Sequence, residues 1–422
     1  MLAPIACAAL AASAREPLFS GGLPDATKVP LILDMDANYD DTLALAFLAN
    51  HPTLDLKAVT VCANGFATAH GGPVNMQKLL GLLGRSDIPV SVGEYAGLSP
   101  ITNFPPAWQI EIDQFYESQA LPEPETPLSM FSSPQLIAKT LKESDTAVAV
   151  LVTGSATNLA IALRKEPELI NRISVLYLMG SNYGGESNNV FCWQMNFMGA
   201  YGSCTENAGA AVPLFTAGSY PLNVTKMGYG PGSGMGECGV GESTMDCATM
   251  RPGCRGVNMC AAGLTEWNVF LDALAWHVVT RAVAEAKTPP ELYAYTSKAT
   301  ETMGITKEDF EAGTAIEGID PEVADFMMEL QEAFLAAGEA KWWDASTVVS
   351  LGEIIAGEKT GLCTEWAHST GFMVSQTWKE MVVGNEIGSM ISARTGCASH
   401  TGREIARDPP EIAARNRSDS PL

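Results

Sequence analysis

Residues 29–48 read VPLILDMDANYDDTLALAFL. An apolar run from Val29 to Leu33 enters four carboxylates, Asp34, Asp36, Asp40 and Asp41, and an apolar periodic stretch from Leu43 to Leu48 follows at once. The carboxylates therefore stand where a strand ends and a helix begins. Crowding that many charges is unfavourable by several kcal/mol unless a cation or protons compensate. Such a cluster at a strand terminus points to a site for a hard divalent ion.

The same rhythm continues along the chain. Through residues 29–225, strand-like segments (LKAVTVCAN, PVSVG, AVAVLVTG, ISVLYLMG) alternate with helix-like ones (GPVNMQKLLGLLG, PQLIAKTLKES, ATNLAIALRK). The β-branched apolar runs carry no alternating polar residues, which predicts a parallel sheet covered by helices on both faces. The fold class expected is α/β: a mostly parallel, doubly wound, Rossmann-like sheet with a helical C-terminal part. Ligands gather beyond the carboxyl ends of such strands. Those ends here are Asp34–Asp41, Ala63-Asn64-Gly65, Thr153-Gly154 and Gly180–Asn182. Residues 96–132 read as a Pro-rich connection, 226–262 as a Cys/Gly-rich insertion and 263–356 as mostly helical, all within one domain over 25–398. Residues 400–422 read as a polar, disordered tail.

Charge narrows the partners. With 25 basic against 48 acidic residues the formal net charge is −23, and no long Lys/Arg cluster offsets it. Nucleic acid and anionic membrane are disfavoured, while neutral small molecules and cations are not. No segment holds eighteen uninterrupted apolar residues, as a membrane span would require (about 20). Residues 1–15, MLAPIACAALAASAR, resemble a secretory signal ending in Ala-Ser-Ala, so export is expected; without such a leader the location would be cytoplasmic. Four of the ten cysteines, Cys238, Cys247, Cys254 and Cys260, crowd the insertion without a C-x-x-C pair or a His, which favours a disulfide-tied loop over zinc.

Two generic readings of the acidic cluster fail. An EF-hand loop starting at Asp34 needs Gly at its sixth position and Glu at its twelfth, where Tyr39 and Leu45 stand. A phosphatase of the aspartyl-nucleophile class is disfavoured by Asn38 and by Asp40-Asp41, which would repel a phosphate. Capping of the helix by Asp40 and Asp41 accounts for part of the cluster only.

DMDANYDDTLAL resembles the signature D-x-D-P-G-x-D-D-A-x-A-L of the inosine–uridine-preferring nucleoside hydrolases. TVCANG, LVTGSATNLAIAL, LMGSNYGGESNN and PLNVT are similar to later motifs of that family in the same order. The resemblance implies the nucleoside hydrolase type of fold and calcium-dependent (Ca2+) hydrolysis of ribonucleosides to ribose and a free base. It makes Asp36, Asp41, the Thr153 carbonyl and Asp344 the metal ligands. Asp36 would also be the general base, and Asn64 would stand beside the attacking water. Asp40 would hold ribose hydroxyls, together with Asn188, Gln194 and Asn196 in the places of the family's Asn, Glu and Asn. For the last ligand Asp272 competes with Asp344, and Asp344 is favoured because it opens a small-residue helix after an amphipathic one.

Three departures stand out. Ala37-Asn38 replaces Pro-Gly, and Asn tolerates the positive φ that a Gly suggests. Gln194 lacks the charge of Glu. Trp343 replaces a His that protonates the leaving base in part of the family; Trp cannot donate a catalytic proton but can stack on a base. Gln194, Trp343 and the Cys-rich insertion motivate the alternative of a catalytically weakened calcium- or ribose-binding protein on the same scaffold. The substrate expected is a small nucleoside; self-association into a homo-oligomer is compatible with the sequence.

Overall fold

The computed structural model describes residues 28–94, 96–99, 104, 106–180, 266–295, 307–314, 319–336 and 342–356, together with the backbone of short strands between residues 365 and 404. In chain order the first elements are β1 (Val29–Met35), α1 (Tyr39–Ala49), β2 (Leu54–Val61), α2 (Gly71–Leu82), β3 (Val90–Val92), α3 (Pro106–Ser118), α4 (Ser133–Glu143), β4 (Val148–Val152), α5 (Thr157–Lys165) and β5 (Ile173–Met179). After the segment outside the described residues come α6 (Trp267–Leu271), α7 (Ala273–Glu285), β6 (Glu291–Tyr295), α8 (Lys307–Thr314), α9 (Pro321–Ala336) and α10 (Trp343–Ala356).

Six strands pair in parallel in the order β3-β2-β1-β4-β5-β6. The order reverses direction at β1, between β2 and β4, which is where a doubly wound sheet opens a crevice. Beyond β6, a strand at Ala393–His400 adds in parallel and a strand at Glu365–Ser369 lies antiparallel upon it.

Alternation along β1 separates two cores. Leu31, Leu33 and Met35 face one side with α1, α2, α3, α9 and α10. Ile32 faces the other, with α4, α5 and α7. Every one of these β1 side chains is fully buried, each stabilising the fold by about 1.5–3 kcal/mol. The apolar runs are uninterrupted because both faces of the sheet are covered.

Three sequence expectations need correcting. The connection over 96–132 contains α3, an ordered helix that anchors α2: Thr68 and Asn75 both donate to Asp113 on α3. The helical reading of 263–356 missed β6, whose ELYAY run is short enough to pass for a helix turn. Within LTEWNVFLDALAWHVV, residues 267–279 form two helices rather than one, broken at Asp272, with φ −155° and ψ 73°. No helix among the described residues is long and apolar enough to cross a membrane. The signal-like residues 1–15, the insertion 226–262 and most of the tail lie outside the described residues, as do all clustered cysteines; Cys62 is a buried free thiol.

Candidate active site

The acidic residues sit on the turn from β1 to α1, and the local backbone explains their placement. Ala37, not Asn38, holds the positive φ, at 63°. A left-handed Ala is unfavourable by about 1–2 kcal/mol, so the surrounding contacts must hold it there. Asn38 is extended and serves as the N-cap of α1. Its Oδ1 accepts from the Tyr39 amide at 2.7 Å, and the Asp41 carboxylate accepts from the Asn38 amide at 3.0 Å. This capping box uses Asp41 Oδ2 and leaves Oδ1 to face the end of β4, where it accepts from Thr153 Oγ1 at 2.6 Å.

Asp344 arrives from the far end of the chain, in the first turn of α10. α10 lies against α1, and Gly352 permits the approach: a Cβ there would stand 2.9 Å from His51 Nε2. The result is a group of three buried carboxylates, Asp40, Asp41 and Asp344, offering oxygens within 4.8 Å of one another. Asp36 joins it through a hydrogen bond shared with Asp41. The group of three thus includes Asp40, expected to hold ribose, while Asp36, expected to hold the metal, reaches it through Asp41.

Electrostatics follow from burial. The carboxyls of Asp36 and Asp344 are held well above the usual range, first by desolvation and then by the neighbouring carboxylates. Desolvation raises Asp41 too, against the hydrogen bonds from Asp36, Thr153 and the Asn38 amide. Asp344 Oδ1 is buried without a hydrogen-bond partner. An all-oxygen donor set of this kind, with a buried oxygen that has no hydrogen-bond partner, fits a hard divalent cation and suits neither a soft metal nor an anion.

The remaining expected residues divide into three. Thr153 is at the cluster, and its carbonyl accepts from Asn268 Nδ2 at 3.0 Å. Asn64 is fully buried at the end of β2, bonded to Ser155 and Thr157. A Cβ on the next residue, Gly65, would lie 2.4 Å from the Asp36 Cβ, so the β2 and β1 termini touch. Trp343 opens α10 beside Asp344, its indole Nε1 buried without a partner. Asn188, Gln194 and Asn196 lie outside the described residues. Asp272 is not in the acidic cluster: it is fully buried as the N-cap of α7, accepting from Ala275 N at 3.1 Å. Neither ligation nor a solvated helix position describes it.

Asp34 faces the other core, where its Oδ1 accepts from Thr60 and Asn158, each at 2.8 Å; burial pushes its carboxyl up to about 6.

Two residues at the site were missed from sequence. Glu266 is buried, caps α6 through the amides of Asn268 and Val269, and is one of the charges that raise Asp36. Asn268 joins Thr153 to Met179, at the ends of β4 and β5. The available signal was the Glu-x-Asn spacing of Glu266-Trp267-Asn268, with its carboxylate intact, directly before an apolar helix. Trp267 stacks on Phe104 at 4.6 Å, and Phe66 on Trp108 at 5.7 Å. An aromatic cluster thereby stands beside Asn64 and Asn268.

Residues 31–380 match the family model described as inosine-uridine preferring nucleoside hydrolase. Among curated proteins, the chain is 35% identical over 156 residues to the pyrimidine-specific ribonucleoside hydrolase RihA of Escherichia coli O1:K1, covering 37% of this chain and 49% of RihA. It is similarly 35% identical over 156 residues to RihA of Citrobacter koseri. The chain spans about half the length of the curated relatives it matches. Among solved structures, the inosine-uridine preferring nucleoside hydrolase of Bacillus anthracis aligns with a TM-score of 0.55 at 16% identity, over 88% of this chain and 95% of that one. The purine-preferring ribonucleoside hydrolase of Gardnerella vaginalis aligns at 0.53 and 16%, over 84% and 88%.

Proposed function

The chain belongs to the inosine-uridine preferring nucleoside hydrolase family, and on that premise we propose that it hydrolyses the N-glycosidic bond of ribonucleosides, releasing ribose and a free base, with calcium as its metal. The observation that carries the reading is the buried convergence of Asp40, Asp41 and Asp344, joined by Asp36, at the carboxyl ends of the central strands. Asp36, Asp41, Asp344 and the Thr153 carbonyl would hold calcium, and Asp40 adds a further carboxylate at the same place. When bound, calcium supplies charge that makes a nearby water more acidic and holds the vicinal ribose hydroxyls.

The chain's own groups do the rest. Asp36 would accept the proton of the water that attacks C1′, from its buried place at the end of β1. Asp40 and Asn64 accept from and donate to the ribose and the incoming water. As the glycosidic bond lengthens, C1′ gains oxocarbenium character, which fixed negative charge nearby stabilises. Glu266 and Asn268 have the same one-residue spacing as Gln194 and Asn196, but with the Glu that the family has at the first position. With Glu266 in that role the charge missing from Gln194 is present after all, which weakens the case for a decayed binding protein. Trp343 has no titratable proton to give, so it stacks on the base rather than protonating it.

Release of reducing sugar from uridine, inosine and adenosine by calcium-reconstituted protein tests the proposal, with EDTA-treated protein as the control. Turnover with at least one nucleoside, lost on calcium removal and in Asp36→Asn, is expected. No release from any of them, with ribose still bound, would establish the binding-protein alternative instead.

A further inference from the structure

Asp272 does more than cap a helix. Each of its oxygens accepts two bonds: Oδ1 from the Ser99 amide at 2.8 Å and the Ala275 amide at 3.1 Å, Oδ2 from the Leu98 amide at 2.6 Å and Thr157 Oγ1 at 2.8 Å. The cap requires only the Ala275 bond. The other three tie the carboxylate to the loop after β3 and to the first residue of α5.

Thr157 has one hydroxyl proton and donates it to Asp272, so towards its other neighbours its oxygen only accepts. The neighbour at 3.4 Å is Asn64 Nδ2, a donor. Ser155 Oγ lies 2.9 Å from Asn64 Oδ1 and donates to it. The bonds therefore run in one direction, Ser155 to Asn64 to Thr157 to Asp272. With the Asn64 amide turned over, its oxygen would face the lone pairs of Thr157. Ser155, 2.9 Å from Thr157, could redirect its proton there, but Asn64 Oδ1 would be left buried without a donor. All four groups are at most 1% exposed, so water does not relieve that loss.

We propose that Asp272, acting through Thr157, is a positioning residue that fixes which end of the Asn64 amide faces the reacting ribose. This rests on the reading above only in placing ribose beside Asn64; the orientation of the amide does not depend on it.

The test uses the full chain and three substitutions. Thr157→Val keeps the shape of the side chain and leaves the three backbone bonds to Asp272 intact, whereas Thr157→Ser keeps the hydroxyl. With the best nucleoside substrate, Thr157→Val should lower kcat at least about tenfold, in line with the cost of leaving the buried Asn64 Nδ2 donor without an acceptor, with KM changed less than about threefold. Thr157→Ser should restore the rate. In an Asn64→Ala background Thr157→Val should have no further effect. Additive losses, or a Thr157→Ser variant as slow as Thr157→Val, would overturn the proposal.

A second readout needs no turnover. In protein labelled with 15N-asparagine, the Asn64 side-chain amide, identified by its loss in Asn64→Ala, should exchange with solvent slowly in wild type and Thr157→Ser. In Thr157→Val it should exchange at least about tenfold faster. Unchanged exchange refutes the positioning role, even should wild type prove inactive on every nucleoside, which would sink the hydrolase reading alone.

Discussion

Replacing Asp344 by Asn removes one of three carboxyl groups whose oxygens lie within 4.8 Å of one another. At that separation and an effective dielectric constant of about 20, each pair of like charges repels by about 3.5 kcal/mol. Asp344 takes part in two such pairs, so full ionisation would be disfavoured by about 7 kcal/mol. Protonation caps the penalty: holding a proton at pH 7 on a carboxyl with an ordinary pKa near 3.9 costs about 4 kcal/mol. Burial and then Asp40, Asp41 and Asp36 push the Asp344 carboxyl well up, the direction that favours this route in the cation-free protein.

The Asp344→Asn variant has no such charge to neutralise. In EDTA at pH 7 it should be more stable than wild type, by about 2 kcal/mol and at most about 4. The gain should shrink towards pH 5, where the same protonation costs only about 1.5 kcal/mol. Calcium reverses the order. At a hundredfold excess over Kd it stabilises wild type by about 2.7 kcal/mol, whereas the variant, short of a ligand, gains little. Urea unfolding at several pH values, with EDTA and with calcium, reads both effects. A variant less stable than wild type in EDTA would refute the reasoning, as would one that gains as much from calcium.

Asp34, raised from 3.8 to about 6 by burial, contributes stability that is fully present below pH 3.8 and is lost as pH rises through about 6. The shift amounts to about 3 kcal/mol. Asp34→Asn should flatten that part of the pH–stability curve, and an unchanged curve would count against the shift. Gly65→Ala forces a Cβ to within 2.4 Å of the Asp36 Cβ. Moving that carboxylate by about 1 Å should lower kcat by up to about a hundredfold, with the circular dichroism spectrum retained; wild-type kinetics would show that the loop absorbs the methyl. Because Asp36, Asp41 and Asp344 all hold protons above the usual range, calcium must displace them, so affinity should rise with pH. Calorimetry in buffers of different ionisation enthalpy would detect the released protons, and pH-independent affinity would exclude them.

Local pattern alone carried the β1–α1 unit, the parallel sheet and the acidic cluster. Uninterrupted apolar runs have no other stable home than a sheet covered on both faces, and the carboxylates past the end of such a run, Asp36, Asp40 and Asp41, emerge at the sheet's end, whereas Asp34 is still within β1. Three matters needed the tertiary structure, each because distant segments decide it. Asp344 and Asp272 look alike in sequence; only the docking of α10 against α1 separates a carboxylate in the cluster from one that caps α7. Ala37 takes the left-handed conformation and leaves Asn38 free to cap α1, a trade set by contacts around the loop rather than by propensity. Glu266 and Asn268 reach the site only because α6 is folded back to the ends of β4 and β5, far in sequence from the residues they join. A chain's local pattern determines what each segment buries, whereas which carboxylates share one small volume depends on packing between segments, and so on the whole fold.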